Sequence, residues 1–270
     1  MEERSRPCMK KRTALIGALV SLMPMGQTVL IGTGAVLTSA GVMLTVPEKA
    51  LADSAFFYYN RGNDKYDAGD YSGAISDYNR VINEYPNHPK IDEAYVNRGL
   101  SKKESGDNYG AIADFNKAIE INPKNALAYS NRGFTKHDLE DYSGAIADFN
   151  TAIKINPKDA DTFSRRGLMK WKVKDYEGMI ADFTNAILMN PNDVSAYNYR
   201  GNAKRKSKDY LGAIADYTTA IKVDPNSGLS YALRGIARRE TGDHQGTCSD
   251  WRKAMELGEE YGSNYVRDEC

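Results

Sequence analysis

Arginine and aspartate recur in this chain at a spacing that either reads a ligand or pairs the two with each other. Arg61, Arg98, Arg132, Arg166, Arg200 and Arg234 are each followed sixteen residues later by an aspartate: Asp77, Asp114, Asp148, Asp182, Asp216 and Asp250. Four residues after each arginine stands a second cation: Lys65, Lys102, Lys136, Lys170, Lys204 and Arg238. Cations at i and i+4 share one helix face. A bare ladder of them would contact a ligand, whereas one arginine and one aspartate per unit, in fixed register, would form ion pairs that set packing register. Pairing is the better reading, because recurring columns in repeat arrays hold the stack together. Nothing else in the chain suits catalysis. It carries no Gly-rich phosphate loop and no nucleophile elbow. His88, His137 and His244 are scattered, so neither a metal nor a cofactor is expected.

The elements that position these residues repeat with them. Each of the six arginines is followed by Gly; the first interval is 37 residues and the next four are 34. With each arginine at position 7 of its unit, position 4 is aromatic (Tyr58, Tyr95, Tyr129, Phe163, Tyr197, Tyr231) and so is position 24 (Tyr78, Phe115, Phe149, Phe183, Tyr217, Trp251). Position 27 is Val81 and then Ala in every copy, and position 32 is Pro in the first five copies. In the third copy Asp141 caps a helix whose Ala145, Ile146, Phe149, Ala152 and Ile153 form an i, i+3, i+4 stripe, and Asn156-Pro157 stops it. Gly133 and Ala145 are small where two antiparallel helices must come close.

These columns resemble the tetratricopeptide repeat (TPR), a 34-residue helix-turn-helix. The resemblance implies an all-α fold, a superhelical solenoid of six hairpins near 55–91, 92–125, 126–159, 160–193, 194–227 and 228–261, with a short cap at 262–270. The chain departs from the family in its aromatic at position 4 in place of Trp, its Arg at position 7 in place of Leu, and its Lys or Arg at position 11 in place of Tyr.

Residues 1–52 read differently from 53–270. Arg4, Arg6, Lys10, Lys11 and Arg12 precede residues 13–47, which carry no charge, and Ala50-Leu51-Ala52 has the small-x-small form of a signal peptidase site. Two readings stand: cleavage between Ala52 and Asp53, or retention of residues 13–47 as a membrane tether. Either places the repeats on the far side of a membrane, in a periplasm- or lumen-type compartment. Without residues 1–52 the chain holds 30 basic against 33 acidic residues, which gives no general pull toward nucleic acid.

The resemblance puts a peptide-binding groove on the first helices, at positions 2, 5, 9, 12 and 13. Columns that fail to repeat carry the information there. Candidate groove residues are Asn63, Tyr66, Leu100, Lys103, Phe134, His137, Leu168, Trp171, Lys172, Arg205 and Lys206. They describe a surface aromatic and acidic at its start, apolar in its centre and basic across copies four and five, suited to an extended segment with an acidic end. Position 5 (Tyr59, Val96, Ser130, Ser164, Asn198, Ala232) lacks the lysine with which chaperone-binding relatives hold a C-terminal carboxylate. Cys248 and Cys270 are either bridged, closing a loop worth about 3 kcal/mol in the chain-entropy model, or a buried thiol beside a frayed end. The expected function is a non-enzymatic scaffold for a protein or peptide partner. The alternatives are an envelope assembly factor acting through its convex face or self-association, and nucleic-acid binding by the basic helices of copies four and five.

Overall fold

A computed structural model of the chain describes residues 30–31, 35–37, 43–45, 48–260, 266 and 270, with side chains from Ser54 onward. The basic start and most of the uncharged run invoked for export lie outside the described residues. Three short strands, β1 (Leu30–Ile31), β2 (Ala35–Leu37) and β3 (Met43–Thr45), pair antiparallel in chain order. Among the described residues, twelve helices follow as six hairpins. These are α1 (Glu48–Asp67) with α2 (Tyr71–Glu84), α3 (Ile91–Glu104) with α4 (Asn108–Ile121), and α5 (Ala126–Asp138) with α6 (Tyr142–Ile155). Then come α7 (Ala160–Lys172) with α8 (Tyr176–Met189), α9 (Val194–Lys206) with α10 (Tyr210–Val223), and α11 (Gly228–Glu240) with α12 (His244–Glu256). Each helix packs on its hairpin partner and on the neighbouring hairpin, which is the solenoid arrangement. Helix α1 starts seven residues ahead of its repeat, so Ala52 and Asp53 lie in helical backbone. None of the helices among the described residues is long and apolar enough to cross a membrane.

The hairpin core is made where small residues meet large ones. Ala74, Ala111, Ala145 and Ala213 are fully buried, as are the ring-bearing residues Tyr78, Phe115, Phe149, Phe183, Tyr217 and Trp251 of position 24. The position-8 glycine lies under that ring: a Cβ on Gly201 would sit 2.6 Å from Tyr217, and one on Gly235 2.5 Å from Trp251. Any side chain there would force the two helices apart.

Every second helix begins with the same cap. Asp70, Asp107, Asp141, Asp175, Asp209 and Asp243 each accept the backbone N–H of the glycine three residues on, at 2.8–2.9 Å. The sequence shows the aspartates; what it leaves unexplained is that glycine. A Cβ on Gly144 would lie 2.0 Å from the Asp141 carboxylate, so the cap itself excludes a side chain.

The turn within each hairpin requires a left-handed residue just before the capping aspartate. Gly69, Gly106 and Gly242 meet that demand in the outer copies, with φ near +80°. The three inner copies place Glu140, Lys174 and Lys208 there at φ of 62–67°. A side chain in that region costs roughly 1–2 kcal/mol, against roughly 0.5–1 kcal/mol for the greater unfolded-state freedom of glycine. Glu140→Gly and Lys174→Gly are therefore each expected to raise stability by about 0.5–1 kcal/mol, read as a higher urea midpoint; a lowered midpoint would contradict this account of the turn.

Candidate functional site

The arginine–aspartate columns meet in the structure, and each arginine does more than pair. Its Nε and Nη2 donate as a fork to both oxygens of the aspartate on the partner helix, with Nε–Oδ2 distances of 2.7–3.0 Å. The position-11 cation donates to the same carboxylate at 2.8–3.0 Å. The remaining Nη1 reaches back to the preceding hairpin. It donates to Asn79, Asn116 and Asn150 from Arg98, Arg132 and Arg166 at 2.6 Å, and to Thr184 and Thr218 from Arg200 and Arg234 at 3.2 Å. Each guanidinium also sits 5.1–5.6 Å from the ring at position 4, one turn earlier. The arginines are thus consumed by the scaffold. Hydrogen bonds from Arg61, ahead of those from Lys65 and against the opposing effect of burial, hold the Asp77 carboxyl below its usual range.

The groove columns divide by what lies beneath them. Asn63 and Asn202 accept the hydroxyls of Tyr78 and Tyr217 at 2.7 and 3.0 Å. Where position 24 is Phe, position 9 is apolar: Leu100 over Phe115, Phe134 over Phe149, Leu168 over Phe183. Position 9 therefore answers the core and does not select a ligand. Burial pushes the Tyr217 hydroxyl up, against the opposing pull of nearby Arg205. Position 12 leans on the first residue of its own second helix: Tyr66 on Tyr71, His137 on Tyr142 and Trp171 on Tyr176, at 5.5–5.9 Å between centroids.

Phe134 is not the bare apolar centre that its column suggests. The Lys103 ammonium and the Arg165 guanidinium each lie 4.5 Å from its centroid, and His137 stacks at 5.8 Å. Lys103 is also paired with Asp138 at 3.2 Å. Position 5, assigned to the groove by resemblance, is buried in five of six copies, in four of them against position 3 of the next first helix. Ser130 and Thr162 hydroxyls lie 3.3 Å apart across such a contact, and Asn198 donates to Ser230 at 2.9 Å across another.

Position 13 remains open. Asp67, Glu104 and Asp138 are followed by Lys172 and Lys206, all exposed, and neither lysine has an ion pair or hydrogen bond among the described residues. On the same helices Trp171 is half-buried against the cluster around Met179 and Phe183, Tyr199 is exposed and stacks on Phe183 at 5.2 Å, and the half-buried Arg205 has no acceptor for its Nε among the described residues. At the opposite end Asn63, Tyr66, Asp67, Tyr78, Asn97 and Leu100 line a cleft of about 290 Å³. There Asn97 donates to Asn63 at 3.0 Å and to Tyr59 at 3.2 Å; burial, then the bond to Glu93, pushes the Tyr59 hydroxyl up to about 12. Beyond the groove, a disulfide joins Cys248 to Cys270 with 5.6 Å between Cα atoms, and Arg252 donates to the Cys270 carbonyl at 2.6 Å. No group of three or more potential metal ligands occurs among the described residues.

Comparison with known proteins bears on this arrangement. Models described as tetratricopeptide repeat match residues 55–88, 126–159 and 194–227, and a TPR repeat model matches 99–139. No curated protein matches the chain. Among solved structures, Pseudomonas aeruginosa pilF is similar at 17% identity and TM-score 0.65, covering 81% of this chain and 97% of its own. MamA is similar at 22% identity and TM-score 0.58, covering 61% and 96%. YrrB, described as a TPR protein with an unusual peptide-binding site, is similar at 19% identity and TM-score 0.60, covering 67% and 91%. At these identities the likeness shows the fold.

The ladder makes one firm demand on stability. Asp148→Ala leaves Arg132 and Lys136 half-buried without their shared counter-charge, and is expected to cost about 3–5 kcal/mol. Urea titration followed by circular dichroism checks it; a loss under 1 kcal/mol would show the pair to be incidental.

Proposed function

Because the chain is a tetratricopeptide repeat protein, we propose that it is a non-enzymatic scaffold holding an extended protein segment in its groove, with an acidic stretch of that segment lying over repeats four and five. The observation that carries this reading is the split in position 13. Two of its three early acids, Glu104 and Asp138, are paired with Lys103, while Lys172 and Lys206 stand exposed without counter-charges among the described residues. An unpaired cation costs nothing at a surface and is available to a ligand carboxylate. Half-buried Trp171 and exposed Tyr199 supply rigid flat area on the same two helices, the kind of residue that anchors interfaces. YrrB lends support as a protein of like fold described as binding peptide. The groove's apolar centre contributes less than its sequence suggests, because Phe134 is already covered on behalf of the scaffold.

The test is fluorescence anisotropy with extended peptides of matched length and opposite charge. Acidic peptides containing one aromatic residue are expected to bind, and Lys172→Glu with Lys206→Glu to weaken them at least tenfold. Equal binding of basic peptides, unchanged by the double substitution, would remove the reading. Export and removal of residues 1–52 belong to the same proposal, supported by the basic start, the uncharged run and Ala50-Leu51-Ala52. N-terminal sequencing of the protein recovered from its native membrane fraction is expected to begin at Asp53; an intact start would favour the retained tether.

A further inference from the structure

The two ends of the stack are not equivalent. In hairpins two to six, position 3 of the first helix (Ala94, Ala128, Thr162, Ala196, Ser230) is 0–1% exposed, sealed against the preceding hairpin. In the first hairpin that position is Phe57, 56% exposed. The arginine above it shows the same vacancy. Arg98, Arg132, Arg166, Arg200 and Arg234 have side chains 13–18% exposed and give Nη1 to an Asn or Thr oxygen of the hairpin before. Arg61 forks to Asp77 in the same way, is 41% exposed, and has no acceptor for Nη1 among the described residues. Terminal repeats of a solenoid need a polar outer face for solubility, and this one turns a phenylalanine outward.

The other end is closed. The residue equivalent to the acceptors Asn79 and Thr218 is Arg252 in the last hairpin, a cation that donates to the Cys270 carbonyl while the Cys248–Cys270 bridge holds that residue in place. A second copy stacking head to tail would set Arg252 against Arg61. Self-stacking in register is therefore blocked by like charge and by the bridged tail.

We propose that the outward face of α1 docks a helical hairpin of a different protein, one that offers a neutral side-chain oxygen to Arg61 and apolar surface to Phe57. Five internal junctions specify the oxygen, because each later arginine on this face takes an Asn or Thr oxygen from the hairpin before it; the exposed ring of Phe57, standing where those junctions have Ala, Thr or Ser, sets the apolar part. The surface is distinct from the groove, so partner binding here leaves the groove free and lets one molecule bridge two proteins.

An engineered copy of the chain serves as the probe. It ends at Glu260, carries Cys248→Ile and Arg252→Asn to restore the acceptor column, and carries Phe57→Glu so that it cannot stack on itself. A second probe keeps the full tail with Arg252→Asn, Cys270→Ser and Phe57→Glu; helical content by circular dichroism confirms that each is folded. Sedimentation velocity against the unaltered chain is expected to show a one-to-one complex at tens of micromolar. Phe57→Glu or Arg61→Lys in the unaltered partner should weaken it at least tenfold; lysine keeps the Asp77 pair and loses the second arm. No complex with either probe overturns the proposal, as does a complex that both substitutions leave intact. Binding to a chain starting at Asp53 but not to one retaining residues 1–52 would make the leader the occupant. A dimer of the unaltered chain abolished by Phe57→Glu would make it a second copy. Either result also overturns the proposal.

Discussion

One guanidinium per hairpin carries the architecture. A flat fork with five donors can grip both oxygens of a carboxylate and still have an arm to spare, and each arginine after the first spends that arm on the hairpin before it. Lysine could neutralise the aspartate but could not span two units. Intra-hairpin folding and inter-hairpin stacking are thus coupled through one side chain, whose ring neighbour at position 4 fixes its rotation. Taking the two charges out of water is costly, and the contact repays that only because nearly every donor and acceptor is satisfied. The family's Leu at position 7 would pack without this directionality.

Most of the fold is visible in the sequence because repetition averages out local ambiguity. Arg-Gly pairs, aromatic columns and Asn-Pro stops mark hairpin boundaries that a single copy would leave vague. The missed contacts are of a different kind: they join two columns, so neither shows its purpose alone. Asn at position 9 looks like a ligand reader until Tyr at position 24 is set beside it. That covariation was present in the six copies. The acceptors at position 25 were likewise present, as three Asn and two Thr, but nothing in the chain says which face a short polar residue on a second helix presents. Position 5 misleads for a third reason. Its burial depends on how tightly successive first helices nest, which is a property of the superhelix and not of the unit.

The candidate groove was legible in its charge and illegible in its availability. Lys103, Phe134 and His137 read as a binding centre; in the structure they and Arg165 satisfy one another. Lys172 and Lys206 read as groove cations in the sequence, and the structure adds that no carboxylate among the described residues reaches them. A functional reading of a repeat array therefore rests on subtraction: residues claimed by the scaffold are removed first, and what is left over is offered outward.

The bridge between Cys248 and Cys270 gives the array a direction in time. A linear stack loses units from its ends, where each has a single neighbour. A tail clamped back onto α12 by that bridge and by Arg252 raises the threshold for opening there, so fraying begins at α1 and runs toward α12 like a zip with one end sewn. Whatever covers Phe57 would then govern the lifetime of the whole molecule, because it would sit on the one end from which the stack can come apart.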